Sequence, residues 1–284
     1  MSITRVGIVG SGIMGAGIAE VAAASGHEVV LRSRTKGGAD AMVAGLAKSL
    51  GKQVEKGKRT EAEAAEISGR VRATAHLGDL VDVDLVIESV VEDLAVKKEL
   101  FAELDSVCKP ETILATNTST LPVVEMAMAT GRPDLVCGVH FFNPAPAMAL
   151  VEVVRPITAA DSTVEAAIAF AAACGKDPGE VKDQAGFIVN ALLFPYLNNA
   201  VRLYESGVAS KEGIDAAMKG GCGFPMGPFA LLDLVGLDTS LAILDALYDE
   251  YRDPNYAAVP LLRRLVASGQ LGRKTKKGFY DYSG

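Results

Sequence analysis

Short apolar runs bounded by glycine, proline and polar residues alternate with longer amphipathic stretches along the first part of the chain. Such runs predict buried strands, and apolar positions three or four residues apart predict helices. The predicted strands are Val6–Val9, Glu28–Leu31, Val71–Ala73, Asp84–Glu88, Thr112–Ala115, Val136–His140 and Leu150–Val154. The predicted helices among them are Ile13–Ser25, Gly38–Lys58, Glu61–Ile67 and Leu94–Val107. This alternation indicates a doubly wound α/β fold, with a mainly parallel sheet and helices on both faces.

The pattern changes close to residue 184. From there onward apolar residues recur at helical spacing, and no strand-like alternation is present. The predicted helices are Phe187–Glu205, Lys211–Lys219, Pro228–Leu234 and Leu237–Tyr251. Pro195 lies inside the first of them, where we expect a bend rather than a break. The sequence therefore predicts two domains, residues 1–184 with the sheet and an all-helical C-terminal domain of residues 185–284.

Three glycines, Gly10, Gly12 and Gly15, lie between the first predicted strand and the first predicted helix. Glycines at this spacing permit a tight turn, let backbone N–H groups approach a pyrophosphate and let the helix pack closely on the strand. The phosphate is then favoured by the unpaired N–H groups and the dipole of the helix N-terminus. A GxGxxG motif is weak evidence alone, but its place between two strand-like runs predicts a Rossmann-type dinucleotide-binding domain.

The end of the second predicted strand bears on the choice of nicotinamide cofactor. In many folds of this type an acidic residue there binds the adenosine ribose. Here Arg32, Ser33 and Arg34 occupy the region, and no carboxylate is present. Two arginines suit a 2′-phosphate through charge-assisted hydrogen bonds. The sequence therefore favours NADP(H), while two solvated arginines with NAD(H) bound remain the alternative.

His140 and Glu152 are candidates for acid–base chemistry. His140 ends an apolar strand, and Glu152 lies on the next strand-like segment, beyond a proline-rich turn. If the turn folds the two strands together, the carboxylate selects the tautomer of the imidazole and stabilises its protonated form. A hydrogen-bonded core histidine and an edge-strand glutamate are the alternative interpretation. His27, between a helix and a strand, is predicted to be a surface turn residue.

Longer motifs give the chain a family resemblance. In order they are GSGIMGAGIA, VIESVVEDLAVKKELFAELD, NTSTLP, HFFNPAPAMALVEVV, KDQAGFIVNALLFPYLNNA, FPMGPFALLDLVGLD and GRKTKKGFYDY. With them the chain resembles, over essentially its whole length, the L-3-hydroxyacyl-CoA dehydrogenases, and within that family the short stand-alone 3-hydroxybutyryl-CoA dehydrogenases. HFFNP followed by LVEV and GFIVN is far more specific than the glycine motif.

The resemblance implies roles for individual residues. His140 would be the catalytic acid/base and Glu152 its orienting partner. Ser119 would contact the reacting oxygen, and Asn190 would hold the substrate carbonyls; capping of a helix by Ser119 and solvation of Asn190 are the alternatives. The implied cofactor contacts are Gly10, Gly12, Ile13, Met14, Gly15, Ser33, Arg34, Glu92, Lys97, Asn117 and Asn143.

A CoA substrate is a large anion, so a chain with a net charge of −7 needs a local basic surface to bind it. Lys48, Lys52 and Lys56 recur every four residues and therefore share one face of the second predicted helix. The resemblance places this helix close to the CoA tail and implies substrate contacts for Lys52 and above all Lys56. An ordinary solvated lysine face is the alternative.

Composition narrows the class of protein. The acidic charge of the 284-residue chain argues against general nucleic-acid binding, and no apolar run approaches the ~20 residues that span a bilayer. No charged-then-apolar leader is present, so we expect no signal peptide. The cysteines lack CxxC or metal-ligand spacing, which predicts reduced thiols in a cytoplasmic protein without a metal site. Apolar helical segments such as PFALLDLVGL favour, with the resemblance, a homodimer.

These observations support three hypotheses. The first is an NAD(P)-dependent oxidoreductase of fatty-acid or butanoate metabolism that interconverts (S)-3-hydroxyacyl-CoA and 3-oxoacyl-CoA, with 3-hydroxybutyryl-CoA and acetoacetyl-CoA as the expected pair. The second is a dehydrogenase of a free hydroxy acid or sugar acid on the same fold. The third is a non-catalytic dinucleotide-binding structural protein. The basic helix favours the first over the second, and the joint presence of Ser119, His140, Glu152 and Asn190 argues against the third.

Overall fold

The computed structural model describes residues 3–284, which form two compact units, one reaching to Asp183 and the other running from Gln184 to Gly284. The first unit contains an eight-stranded sheet. Its strands are β1 (Arg5–Val9), β2 (Glu28–Arg32), β3 (Val71–Thr74), β4 (Leu85–Glu88), β5 (Ile113–Thr116), β6 (Val136–Phe141), β7 (Leu150–Arg155) and β8 (Asp177–Lys182). Its helices are α1 (Ile13–Ala24), α2 (Lys36–Glu55), α3 (Glu61–Gly69), α4 (Leu94–Val107), α5 (Val123–Ala127) and α6 (Asp161–Ala173).

The strand order is β3-β2-β1-β4-β5-β6-β7-β8. All neighbouring strands are parallel except β6 and β7, which are antiparallel. The order reverses between β1 and β4, and doubly wound sheets bind their ligands at the carboxyl ends of the strands beside such a reversal. The predicted doubly wound, mainly parallel architecture is thus confirmed.

The antiparallel pairing of β6 with β7 sets the register of two candidate residues. His140 lies directly opposite Glu152, and Val139 lies opposite Val153. Side chains directly opposite each other on neighbouring strands project from the same face of the sheet. The backbone ladder therefore holds the imidazole and the carboxylate side by side.

The core of the first unit lies between the sheet and its helices. Every residue of β4 is buried, as expected for a central parallel strand covered on both faces. The small side chains of α1 bring this helix close to the sheet, where Ile18 packs with Ile8 and Ile87 in one apolar cluster. Two helix starts are fixed locally, because Thr35 accepts a hydrogen bond from the Gly38 N–H and Thr60 forms a capping box.

Some elements of the first unit were not predicted from the sequence. β8 reads DPGEVK and nearly half of α6 is alanine, so neither shows the apolar periodicity expected of its type. β8 is an edge strand, which tolerates Pro178 because the N–H that proline lacks is not needed there.

The prediction that His27 is a surface turn residue is wrong. It is half-buried against the ring of Phe170, at 5.1 Å between ring centroids, and burial lowers its pKa.

The second unit is built from helices, as predicted. They are α7 (Val189–Glu205), α8 (Lys211–Cys222), α9 (Pro228–Val235), α10 (Leu237–Tyr251) and α11 (Pro260–Ala267). Helix α7 continues through Pro195 without a break, as expected. Two buried carboxylates tie the unit together: Asp215 accepts the Phe229 N–H at 2.8 Å, and Asp233 accepts the Phe279 N–H at 2.9 Å. The C-terminal segment is thereby fixed on α9.

Candidate active site

The glycine loop joins β1 to α1 at the carboxyl end of the sheet. A Cβ atom on Gly10 would lie 2.1 Å from the carbonyl oxygen of Ser89, and one on Gly15 would lie 2.1 Å from the carbonyl oxygen of Gly10. Gly10 also has a φ of +135°, which L-residues rarely adopt. Gly12 caps α1 and a Cβ there would meet nothing within 4 Å, so open space lies in front of the helix N-terminus. The arrangement suits a bound phosphate.

A cleft of about 680 Å³ adjoins this loop. The glycine loop, the end of β2 and the start of α4 contribute to its walls, which include Arg32 and Arg34 on one side and Glu99 and Glu103 on α4. The Nε of Arg32 is buried and has no hydrogen-bond partner among the described residues. An unpaired buried donor is costly, and an anionic ligand in the cleft would satisfy it. The loop, the open helix end and this orphan donor all fit a dinucleotide.

The cofactor contacts predicted at the start of α1 and at the end of β2 differ in exposure. Ile13 is 79% exposed, Met14 is half-buried and Arg34 is exposed. Ser33 is buried, and its N–H donates to the Thr74 carbonyl oxygen at 3.0 Å. The strand end thus presents arginine rather than a carboxylate.

His140 and Glu152 form a buried pair. The Nδ1 of His140 lies 2.8 Å from Oε2 of Glu152, and the side chains are 5% and 1% exposed. A fully buried carboxylate on β7, with β8 outside it, is not an edge-strand charge. Both strands that carry the pair belong to the sheet, so the pair has the rigidity of the backbone ladder.

Ser119 lies on the loop after β5 and contacts the other side of the imidazole. Its Oγ is 3.1 Å from the Nε2 of His140, and its N–H donates to Oε1 of Glu92 at 2.8 Å. The structure therefore brings together three of the predicted residues in the order Ser119, His140, Glu152. Ser119 does not begin a helix in this loop, since α5 starts at Val123.

Asn117 and Asn143 differ in their surroundings. The Oδ1 of Asn117 accepts the N–H of Phe141 at 2.8 Å, so this side chain ties the loop after β5 to the end of β6. Its Nδ2 lies 3.4 Å from Oγ of Ser89, next to the glycine loop. Asn143 is exposed in the turn after β6. Asn117 thus has a structural task at the site whatever else it contacts.

Glu88 was missed as a site residue by sequence reasoning. Its carboxylate is fully buried at the end of β4 and binds the ammonium of Lys97 at 2.7 and 2.9 Å. Lys97 also lies 3.3 Å from the carboxylate of Glu92. The sequence feature that could have indicated this pair is a glutamate at the end of the otherwise apolar run in DLVIES, followed by a lysine in the first turn of α4.

The remaining residues, which were predicted to contact the substrate, lie at the end of α2 and at the start of α7. Lys52 is exposed on α2, which ends at Glu55, three residues before the predicted Lys58, and exposed Lys56 is its C-cap. Beside them, buried Glu20 of α1 accepts hydrogen bonds from Ser49 and Gln53 and holds α2 in place. Asn190 is buried in the first turn of α7, in the second unit.

Among residues 3–284, no three His, Cys, Asp or Glu side chains are grouped so that they could hold a metal ion. Three cysteines, Cys108, Cys137 and Cys174, are buried and unpaired by disulfides, and Cys222 is exposed. Burial raises the pKa of Cys137 to about 12, so its thiol is inert at neutral pH. Within the same described range, every helix is too short or too polar to cross a bilayer.

The fold and its glycine loop define the class of the protein: a two-domain oxidoreductase with a Rossmann-type domain for a nicotinamide dinucleotide. Residues 5–184 match the NAD-binding domain of 3-hydroxyacyl-CoA dehydrogenase, and residues 186–282 match the C-terminal domain of that enzyme. The chain belongs to the 3-hydroxyacyl-CoA dehydrogenase family.

Individual relatives match over nearly the whole chain. A 3-hydroxybutyryl-CoA dehydrogenase of Clostridioides difficile is 50% identical over 279 residues, which cover 98% of this chain and 99% of the relative. The crystal structure of FadB2 from M. tuberculosis has a TM-score of 0.98 at 46% identity, covering 100% of both chains. That of (S)-3-hydroxybutyryl-CoA dehydrogenase PaaH1 from Ralstonia eutropha has a TM-score of 0.97 at 42% identity, with the same coverage.

Proposed function

We propose that this protein interconverts (S)-3-hydroxyacyl-CoA and 3-oxoacyl-CoA with a nicotinamide cofactor, and that 3-hydroxybutyryl-CoA and acetoacetyl-CoA are its substrate pair. The observation that carries the proposal is the chain of contacts from Ser119 through His140 to Glu152. A hydroxyl, an imidazole and a carboxylate in this order form an acid–base system for an alcohol and a carbonyl. The names of the relatives supply the substrate class.

The pair of His140 and Glu152 determines where the proton lies. An ionised carboxylate can only accept hydrogen bonds, so Glu152 requires the proton of the imidazole on Nδ1. The Nε2 of His140 is then the basic nitrogen, and it faces Ser119. In oxidation Nε2 takes the proton of the 3-hydroxyl group, and the nearby carboxylate stabilises the imidazolium that forms. In reduction the same nitrogen returns a proton to the oxygen.

The nicotinamide, when bound, accepts a hydride from C3 of the substrate or donates one to it. Ser119 supplies a hydroxyl beside the nitrogen that exchanges the proton, and it stabilises charge that develops on the substrate oxygen. We assign Asn190 to the same task from the family resemblance alone. Glu152 acts through His140 and touches neither substrate nor cofactor.

The test is the initial rate of acetoacetyl-CoA reduction by the wild type and by His140→Ala, with NADH and NADPH supplied separately. We expect activity in the wild type and a loss of at least about 10²-fold in the variant, the lower limit of what a general acid contributes. A folded, dinucleotide-binding wild type that is inactive on acetoacetyl-CoA would contradict the proposal. Activity on acetoacetate or other free oxo acids alone would favour a hydroxy-acid dehydrogenase.

For the cofactor, we propose that NADP(H) is accepted and modestly preferred, with NAD(H) also used. Arg32, whose buried Nε has no partner among residues 3–284, and exposed Arg34 line the cleft, and Ser33 stands where an acidic residue would repel a 2′-phosphate. Arg34→Ala should raise the KM for NADPH while leaving that for NADH unchanged. An equal effect on both cofactors would contradict the assignment.

We further propose that Lys52 and Lys56 attract the phosphates of CoA and that the helical unit forms a homodimer. The lysines are exposed and close to each other at the end of α2. Within the second unit, Leu192 and Val208 are 71% and 68% exposed, and a second copy would cover such apolar side chains. The salt dependence of the KM for acetoacetyl-CoA tests the contacts of the lysines with the CoA phosphates. The molar mass from light scattering in solution tests the homodimer.

A further inference from the structure

The β6–β7 turn, residues 143–149, is held by a lysine that lies outside it. The Nζ of Lys176 donates to the carbonyl oxygen of Ala145 at 2.7 Å and to that of Met148 at 2.8 Å. Lys176 lies directly before β8, so it reaches the turn from the neighbouring edge of the sheet. Because the two carbonyl groups belong to different parts of the turn, one ammonium joins its middle to its end.

The charge of Lys176 is directed at this turn. Among residues 3–284 no carboxylate pairs with its ammonium, and partial burial lowers its pKa. A charged donor forms hydrogen bonds about twice as strong as those of a neutral donor, and a partly buried ammonium needs such partners. Lys176 therefore restrains the backbone of the turn, and its replacement leaves no buried carboxylate unpaired.

Helix α1 bounds the turn on another side. A Cβ atom on Gly17 would lie 3.3 Å from the Cβ of Ala145 and 3.4 Å from the Cδ of Pro146, so the glycine permits a close approach. Ala145 is accordingly buried. Since α1 begins at the glycine loop, the turn lies against the helix that starts at the expected phosphate site.

The first residue of the turn, Asn143, is exposed and therefore accessible to a ligand. The acid–base pair is fixed in a different way, because the ladder between β6 and β7 sets His140 opposite Glu152. A change in the shape of the turn would therefore move Asn143 without moving that pair. Cofactor contacts made by the turn can thus be tested apart from proton transfer.

We propose that Lys176 is a positioning residue for cofactor binding: by closing the β6–β7 turn it keeps Asn143 in place to contact the nicotinamide dinucleotide. The inference rests on the cofactor of the proposed function and on the contact that the family resemblance implies for Asn143. Lys176 acts through the backbone of the turn, at the carbonyl groups of Ala145 and Met148. Without its ammonium the turn would sample other shapes, and Asn143 would meet the dinucleotide for only part of the time.

The experiment measures cofactor affinity without turnover. Lys176→Met, Asn143→Ala and the double variant are compared with the wild type for the Kd of NADH and of NADPH, by nucleotide fluorescence, and for thermal unfolding. Lys182→Met is the matched control, because it removes the same charge from the opposite end of β8, where the side chain is exposed. A role in stability alone would lower the unfolding temperature and leave both Kd values unchanged.

We expect Lys176→Met to raise both Kd values about 10-fold, as for a turn that keeps its binding shape about a tenth of the time. Asn143→Ala should raise them by a similar factor, the effect of losing about one hydrogen bond. The double variant should bind no more weakly than the weaker single variant, because both changes remove one contact. Lys182→Met should match the wild type. Unchanged Kd values in Lys176→Met or in Asn143→Ala, or multiplicative losses in the double variant, would overturn the inference.

Lys176→Gln covers the case in which Lys176→Met does not fold. Its shorter amide can still donate to one of the two carbonyl groups, so we expect a smaller rise of both Kd values, again without further loss when combined with Asn143→Ala. Unchanged Kd values in this variant overturn the inference. A wild type that binds the dinucleotide but is inactive on acetoacetyl-CoA is a separate result, because it refutes the proposed substrate while the comparison of Kd values still decides this inference.

Discussion

Replacing Glu152 with glutamine isolates the contribution of one buried charge. The side chain keeps its size, and an amide oxygen can still accept the Nδ1 proton of His140 at the observed 2.8 Å. What disappears is the attraction between the carboxylate and the imidazolium that forms when the substrate hydroxyl loses its proton. Glu152→Gln is therefore expected to slow turnover without altering substrate contacts.

Two estimates limit the size of the effect. Unit charges at 2.8 Å attract by about 6 kcal/mol at an effective dielectric constant of about 20, which is the upper limit. The difference between a charged and a neutral hydrogen bond is about 1 kcal/mol, which is the lower limit. An intermediate loss of about 2–4 kcal/mol corresponds to a decrease in kcat of about 30- to 10³-fold.

The assay is 3-hydroxybutyryl-CoA oxidation, followed by absorbance of the reduced nicotinamide, with thermal unfolding measured on the same samples. Glu180→Gln is the matched control, because Glu180 lies on neighbouring β8 in a partly exposed pair with Arg155. We expect the control to retain wild-type kcat. A folded Glu152→Gln variant within about threefold of the wild type would refute the reasoning, since it falls below even the lower limit.

Two further predictions concern cofactor binding and stability. Gly10→Ala places a Cβ 2.1 Å from a carbonyl oxygen at a φ of +135°, and should lower the free energy of unfolding, measured by chemical denaturation, by about 3 kcal/mol. A Cβ on Gly12 would meet nothing within 4 Å, so Gly12→Ala should unfold like the wild type. Gly12→Ala should nevertheless bind NADH more weakly. Burial raises the pKa of Asp84, but the Lys109 ammonium and two backbone N–H groups outweigh it and hold that pKa well below its usual value. This stabilisation is fully present above about pH 4 and is lost progressively as the pH falls toward the lowered pKa, so Asp84→Asn should lower the free energy of unfolding by about 2–3 kcal/mol at pH 7 and by roughly half as much near pH 2; an equal loss at both would contradict it.

Much of the fold could be predicted because its signals are local. The apolar runs of β1 and β4 and the turn glycine Gly10 need no knowledge of distant residues, and each lies where it was predicted within a residue or two. The elements that were not predicted have weak local patterns. β8 exists because β7 offers it an edge to pair with, and α6 packs apolar residues such as Phe170 against the sheet.

In the candidate site too, contacts between residues close in sequence could be predicted, and contacts that depend on packing could not. His140 and Glu152 are separated by one turn, so a simple hairpin argument could place them together. The pairing of Glu88 with Lys97 could not be expected in the same way, since it depends on how α4 packs against the end of β4. The burial of the Arg32 Nε, which lacks a partner within the described part of the chain, also could not be predicted, because the sequence shows a charge but not its burial.

The placement of His140 and Glu152 on paired strands limits which positions can vary when the substrate range of this protein changes. The backbone ladder sets their alignment, and a slip of one residue would put a valine opposite the imidazole. In the turn between the two strands, Ala147 and Met148 are exposed and take no part in this pairing. Mutations in this turn would therefore change which molecules are recognised, while the pair of His140 and Glu152 that transfers the proton stays unchanged.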